Sequence, residues 1–159
     1  MAETNVVVNL YNLPEDIEAD FRPAMAKVGV QIKRAMAPDK SAILDFIRSE
    51  FSQGWADEAE KALFNNPSTL YIAVSEGKVV GFAAYDSTCL GCYGPLGVAK
   101  THRKMGIAQA LTSACLKSMR EKGYWVAVWQ AGPVGYYVKH LNAIILDDKP
   151  GVYENMIEF

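Results

Sequence analysis

The run Arg103-Lys104-Met105-Gly106-Ile107-Ala108 joins two cations, a glycine and a small residue where a strand-like stretch gives way to a long helical one. The first N–H groups of a helix have no partner within it, and the aligned peptide dipoles make that end positive. Gly106 removes the side chain that would screen those amides, Ala108 keeps the next turn open, and Lys100, Arg103 and Lys104 add charge. This pattern suits a phosphate or pyrophosphate held by backbone donors. It is not a P-loop, which ends in Gly-Lys-Ser/Thr, because Gly106 is followed by Ile107 and Ala108. Nor does it carry the three spaced glycines of the dinucleotide fingerprint.

Other chemistry-bearing residues are sparse. Cys89-Leu90-Gly91-Cys92 is a lone CxxC, and the remaining soft ligands are Cys115, His102 and His140. A structural zinc site needs about four ligands, so no metal is expected and the two cysteines read as small residues of a turn. Three cysteines without a secretion signal point to reduced thiols in a cytoplasm. His102 falls in the basic loop and His140 at a helix end, where a positive charge is favourable. Neither has an orienting partner that would mark a general base.

The elements that must position these residues follow from periodicity and punctuation. Val6–Tyr11 reads as a first strand, and Glu15–Lys27 as short helical pieces interrupted by Pro23. A strand over Val30–Ala35 leads to a helix entered at Pro38, with Ile43, Leu44, Ile47 and Phe51 on one face. A second helix covers Trp55–Asn65. Leu70–Val74 and Val79–Tyr85 are joined by Ser75-Glu76-Gly77-Lys78, a hairpin signature. Tyr93–Ala99 is a strand in which Gly94 and Pro95 imply a bulge or a close backbone approach. The long helix Gly106–Lys122 stops at Gly123, followed by a strand over Tyr124–Gln130, a helix over Pro133–Leu141 and two closing strands, Ala143–Leu146 and Val152–Phe159. Strand, long helix and strand in succession require a parallel crossover beside the antiparallel hairpins, hence a mixed, mainly antiparallel sheet in a single α/β domain.

Taken together, these residues and their order resemble the GNAT family of acetyl-CoA-dependent acyltransferases. The loop Arg103–Ala108 matches Arg/Gln-x-x-Gly-x-Gly/Ala. Leu96, Gly97 and Val98 stand where the family's fourth strand ends, and Tyr136-Tyr137-Val138-Lys139 matches its Phe-Tyr-x-Lys helix. The resemblance covers residues 30–159 and leaves 1–29 as an N-terminal strand and helix extension. It implies a twisted sheet flanked by helices, with acetyl-CoA as cosubstrate. The pantetheine arm would lie against the backbone of Leu96, Gly97 and Val98, and the pyrophosphate on the amides of Arg103, Lys104, Met105, Gly106, Ile107 and Ala108. An amine would attack the thioester directly, a backbone N–H near Val98 would steady the developing oxyanion, and Tyr137 would protonate the leaving thiolate. Tyr136 would be its packing partner.

One departure stands out. Family members often place a carboxylate on or beside the fourth strand, and Cys92–Val98 contains none. Asp86, Tyr85, Tyr93 or a water chain are the candidates, and the base is left unassigned. The family's first two helices and their connection cover the acceptor pocket. Here that segment is Phe51–Asn66: Trp55 would wall the pocket and Asp57 or Glu58 would attract an amine, unless these acids form a solvated helix face.

Composition bounds the rest. With 159 residues, 50% hydrophobic and 21% charged, the chain suits one domain with a core. Sixteen basic against eighteen acidic residues, net −2, argue against nucleic acid as partner. The low-charge stretch Val79–Ala99 is broken by glycines, Pro95 and Asp86, so no membrane span is expected. The expectation is a cytoplasmic N-acetyltransferase acting on a small-molecule or peptide amine, as monomer or homodimer. The first strand would cover a sheet edge or reach a partner subunit. The alternative is a non-catalytic acyl-CoA-binding domain of the same fold.

Overall fold

The computed structural model describes residues 4–131, 133–146 and 151–157. Seven strands and five helices run in the order β1 (Thr4–Asn9), α1 (Phe21–Lys27), β2 (Val30–Arg34), α2 (Lys40–Glu50), α3 (Gln53–Leu63), β3 (Leu70–Ser75), β4 (Lys78–Tyr85), β5 (Tyr93–Val98), α4 (Ile107–Lys122), β6 (Val126–Ala131), α5 (Val134–Leu141) and β7 (Ile144–Leu146). Single 3₁₀ turns follow β1 and precede α2, α4 and the C-terminus.

The strands form two sheets, not one. β2-β3-β4-β5 is antiparallel throughout, and β6-β1-β7 is a second antiparallel sheet. The crossover from β5 through α4 to β6 runs in the expected parallel sense, but among the described residues the backbone pairing between these two segments is the single bridge of Cys92, just before β5, with Val128. Beyond it each strand turns to a different sheet.

Alternation explains the layering. On one face of the larger sheet Leu70, Ile72, Phe82 and Ala84 pack against Ile43, Leu44 and Ile47 of α2 and the alanines of α3. On the other, Ala73, Ala83 and Tyr85 meet Ile107, Leu111, Cys115 and Met119 of α4. The same α4 core receives Val6 and Val8 of β1 and Trp129 of β6, so this one helix joins the two sheets. The Ser75–Lys78 turn is a tight hairpin with positive φ at Glu76 and Gly77, as its residues predict. Among the described residues no helix is long and apolar enough to cross a membrane.

Four expectations need correction. β1 lies between β6 and β7, not at an edge, since its valines continue the core between two strands that would otherwise part. Pro23 is the third residue of α1, where no intrahelical N–H is required, so it sits inside the helix start. Val152–Asn155 is a 3₁₀ turn in place of the closing strand expected over Val152–Phe159, of which Phe159 lies outside the described residues. Cys89 and Cys92, expected as free thiols, form a disulfide across the β4–β5 turn; Cys115 is the free thiol and is buried.

Candidate active site

β5 is the edge strand of its sheet. The Ala99 N–H donates to Val80 of β4 (2.8 Å). Backbone groups alternate in direction along a strand, so those of Leu96 and Val98 face the other way, toward the gap with β6. The register between β4 and β5 passes from Ala83↔Leu96 to Tyr85↔Tyr93. β5 therefore carries one extra residue at Gly94-Pro95, and this bulge bends it away from β6. Gly97 faces the opposite side, where a Cβ would stand 2.5 Å from the Phe51 ring. No other residue fits there without moving Phe51.

The parting of the sheets leaves a cavity of about 1250 Å³. Its walls come from β5 (Tyr93, Gly94, Pro95, Leu96), β6 (Val128, Trp129, Gln130), α4 (Ala108, Gln109, Thr112) and α5 (Tyr136, Tyr137). Of the cofactor-binding and catalytic residues named from the sequence, Leu96, Ala108 and Tyr137 line it, as do Tyr93, Tyr136 and the acceptor-side candidates Trp55, Asp57 and Glu58. Gly97 and Val98 are buried in the strand, and Ile107 is in the core at 1% exposure, so only its backbone is available to a ligand. Arg103, Lys104, Met105 and Gly106 precede the first turns of α4, whose Ala108 and Gln109 enter the cavity.

That helix start is bare. Gly106 is the N-cap with φ +86, Lys104 also has positive φ, and no side chain caps the first amides. The first N–H groups of α4 accordingly have no helical partner. Arg103 folds back to donate from Nε to the Val98 carbonyl (3.2 Å), which ties the loop to the end of β5.

Tyr137 is 7% exposed and makes edge-to-face contacts with Trp129 (5.1 Å) and Tyr136 (5.5 Å). Burial, then the Tyr136 phenol, raise its pKa above the ordinary 10.0, while the nearby Trp129 indole acts in the opposite sense. Its phenol is therefore protonated throughout the neutral range. Trp129 is 6% exposed, and its buried Nε1–H meets no acceptor at hydrogen-bonding geometry.

The three candidate bases are all committed elsewhere. Asp86 lies outside the cavity lining, 3% exposed, and accepts from Lys122 Nζ (2.8 Å), Tyr124 OH (2.7 Å) and the Gly91 amide (2.8 Å). Tyr85 OH bonds to Ser118 Oγ (2.6 Å) and Tyr93 OH to Thr112 Oγ1 (2.8 Å). Among the described residues no group of three or more His, Cys, Asp or Glu is arranged to hold a metal.

Sequence reasoning missed Trp129, which an uncharged strand disguises as plain core, and Tyr153, which lines the cavity from a segment read as a strand. Tyr153 OH donates to Glu58 Oε1 (2.6 Å), and Thr88 Oγ1 donates to the same oxygen. Sequence separation hides such pairings, and no local pattern signals them.

Two sheets parted over a cavity, with an uncapped helix start at one side, define the α/β domain. The Acetyltransferase (GNAT) family profile matches residues 40–141, and the chain belongs to that family. Solved structures agree on the fold. A glucosamine N-acetyltransferase region within a fungal multi-domain β-N-acetylglucosaminidase superposes with TM-score 0.70 at 13% identity, covering 91% of this chain and 20% of that one. A GCN5-related N-acetyltransferase from Sphaerobacter thermophilus gives 0.61 at 16% identity, covering 97% and 47%. This chain thus spans a fifth and about half of those two proteins. A GNAT family acetyltransferase from Brucella melitensis, solved with acetyl-CoA, gives 0.57 at 21% identity over 76% of this chain and 89% of that one. No curated protein sequence matches the chain.

Proposed function

We propose that this protein is an N-acetyltransferase that moves the acetyl group of acetyl-CoA to a primary amine. The observation that carries the reading is the cavity between β5 and β6. It has the outer edge of β5 on one side, Trp129 of β6 on the other and the uncapped start of α4 beside it. These residues fit acetyl-CoA: an amide-bearing chain can add to the Leu96–Val98 edge as a further strand would, and a pyrophosphate suits the amides from Lys104 to Ala108. The acetyl-CoA bound by the Brucella relative supports the same ligand.

When bound, acetyl-CoA supplies the acetyl group as a thioester with sulfur as the leaving atom. The chain's part is electrostatic and positional. An amide near Val98 is a fixed donor for negative charge developing on a carbonyl oxygen. Tyr137, protonated and lining the cavity, holds the proton that the departing sulfur requires. Tyr136 and Trp129 hold that phenol in place through ring contacts, and Tyr93 packs edge-on against Trp129 behind it. CoA thioesters are made and used inside cells, which supports a cytoplasmic setting.

Acetyl-CoA titration by calorimetry, followed by thiol release with an amine panel, tests the reading. Tyr137→Phe is expected to lower turnover at saturating substrate about 10²-fold and to leave acetyl-CoA affinity within about twofold. Full turnover in this variant removes the acid role. The absence of a carboxylate from β5 and the commitment of Asp86 to Lys122 favour one second reading, a non-catalytic acyl-CoA-binding domain. Tight acetyl-CoA binding with no thiol release on any amine would establish it.

A further inference from the structure

The cavity has a second end, away from the start of α4, whose chemistry differs. There α3 contributes Gly54, Trp55, Asp57 and Glu58, the β4–β5 turn contributes Thr88, and the C-terminal turn contributes Val152, Tyr153 and Asn155. Among the described residues no Lys, Arg or His lines the cavity, and Asp57 and Glu58 are its charged groups. Neither carboxylate takes part in an ion pair among those residues.

The two acids are not equivalent. Asp57 is exposed and accepts from Gln53 Nε2 (2.8 Å), a neighbour on its own helix. Glu58 is half-buried and is gripped from two distant parts of the chain, by Thr88 and by Tyr153. Both donors reach the same oxygen, Oε1. The carboxylate is thereby oriented, while Oε2 takes no hydrogen bond among the described residues. A half-buried carboxylate with an open oxygen and no cation is an incomplete arrangement, since partly desolvated charges are ordinarily paired. Trp55 lies one helical turn earlier on the same helix and also faces the cavity. An indole and a carboxylate lining the same end of a cavity are a favourable setting for an ammonium group.

We infer that Glu58 is the anchor for the acceptor, which binds as a cation with its ammonium group against Glu58 Oε2 and the Trp55 indole. The inference rests on the acetyl-transfer reading for the word acceptor, but the cation site stands on its own geometry. Tyr153 orients Glu58 and fixes the C-terminal turn as a wall of this end of the cavity. Neutral ligands such as alcohols are disfavoured by the same feature, because a hydroxyl can donate to the carboxylate but brings no charge to pair with it.

The test is direct binding of 1,4-diaminobutane and of lysinamide, with 1,4-butanediol as the neutral counterpart of the diamine. Each is titrated by calorimetry at low salt, with and without saturating CoA, which lacks the acetyl group and permits no turnover. At least one of the two cations should bind the unaltered protein, the diol should not, and added salt should weaken the binding. Glu58→Gln keeps an acceptor oxygen for Tyr153 and Thr88 while removing the charge, and should weaken the cation at least tenfold. Glu58→Asp should restore part of that loss. Tyr153→Phe should weaken the cation less than Glu58→Gln, because the charge remains. Acetyl-CoA affinity, measured in the same preparations, should be equal in the unaltered protein and Glu58→Gln, which also reports that the variant is folded. Cation binding that is unchanged in Glu58→Gln, failure of both cations, or a diol that binds as well as the diamine would overturn the inference. Glu58-dependent cation binding in a protein that takes no acetyl-CoA would instead uphold the cation site and overturn the acetyl-transfer reading.

Discussion

Asp86 shows how one residue can be removed from the catalytic list by its neighbours. Burial by itself would raise its carboxyl pKa, but the donors from Lys122, Gly91 and Tyr124 outweigh burial and hold it below the ordinary 3.8. In return, burial and then Asp86 push the Tyr124 phenol up to about 12. A carboxyl whose folded pKa lies below its unfolded value stabilises the fold above the unfolded pKa, and that contribution is lost as pH falls through the folded value. Asp86→Asn should therefore cost about 1–3 kcal/mol near neutral pH, toward the lower part of that range because Lys122 is about half exposed. Urea melts should show the gap between variant and parent closing below about pH 4. At Tyr137 the sign is opposite in its consequence. A phenol pKa raised above 10.0 keeps the acid protonated, so an alkaline fall in turnover assigned to it should have its midpoint above pH 10. Residue identity in the sequence was enough to nominate Tyr137, whose motif is local. It could not separate Asp86 from Glu58, because their roles depend on Lys122, Tyr124, Thr88 and Tyr153, all far along the chain.

Elements were more legible than their arrangement. Helices α2, α3 and α4 and the β3–β4 hairpin fall where periodicity, Pro38, Gly77 and Gly123 place them, since each signal is contained within a few residues. The bulge at Gly94-Pro95 was expected from residue type, and the register now locates it. The division into two sheets was not legible, because β5 and β6 have suitable sequences for pairing and only the three-dimensional course of β5 separates them. The start of α4 allows a specific check. Gly106 has φ +86, and an L-residue there pays about 1–2 kcal/mol. Gly106→Ala should remain folded, with a lowered melting temperature, and should bind acetyl-CoA about tenfold more weakly as the first turn of α4 shifts. Unchanged affinity would separate the helix start from the ligand.

For the whole molecule, the N-terminal strand is the surprise. β1 pairs with β6 from Thr4↔Ala131 to Asn9↔Val126 and with β7 from Asn5↔Leu146 to Val7↔Ile144. Arg120, near the end of α4, donates to the carbonyls of Leu10, Leu13, Pro14 and Glu15, so the segment after β1 is fastened as well. Removal of residues 1–9 should therefore do more than expose an edge. It should separate β6 from β7, loosen Trp129 and α5, and abolish acetyl-CoA binding together with cooperative thermal unfolding. A truncated protein that melts cooperatively and binds normally would show β1 to be dispensable.

The position of β1 also sets an order of events during synthesis. Of these seven strands β1 is made earliest, and its partner β6 follows more than a hundred residues later. The four-stranded sheet β2-β3-β4-β5 is complete in sequence by Val98 and can pair without the second half of the chain. The valine-rich segment Val6-Val7-Val8 must meanwhile wait unpaired, an aggregation risk of the kind that long-range strand pairing carries. The wall of the cavity that bears Trp129 and Tyr137 is thus made after the four-stranded sheet that faces it.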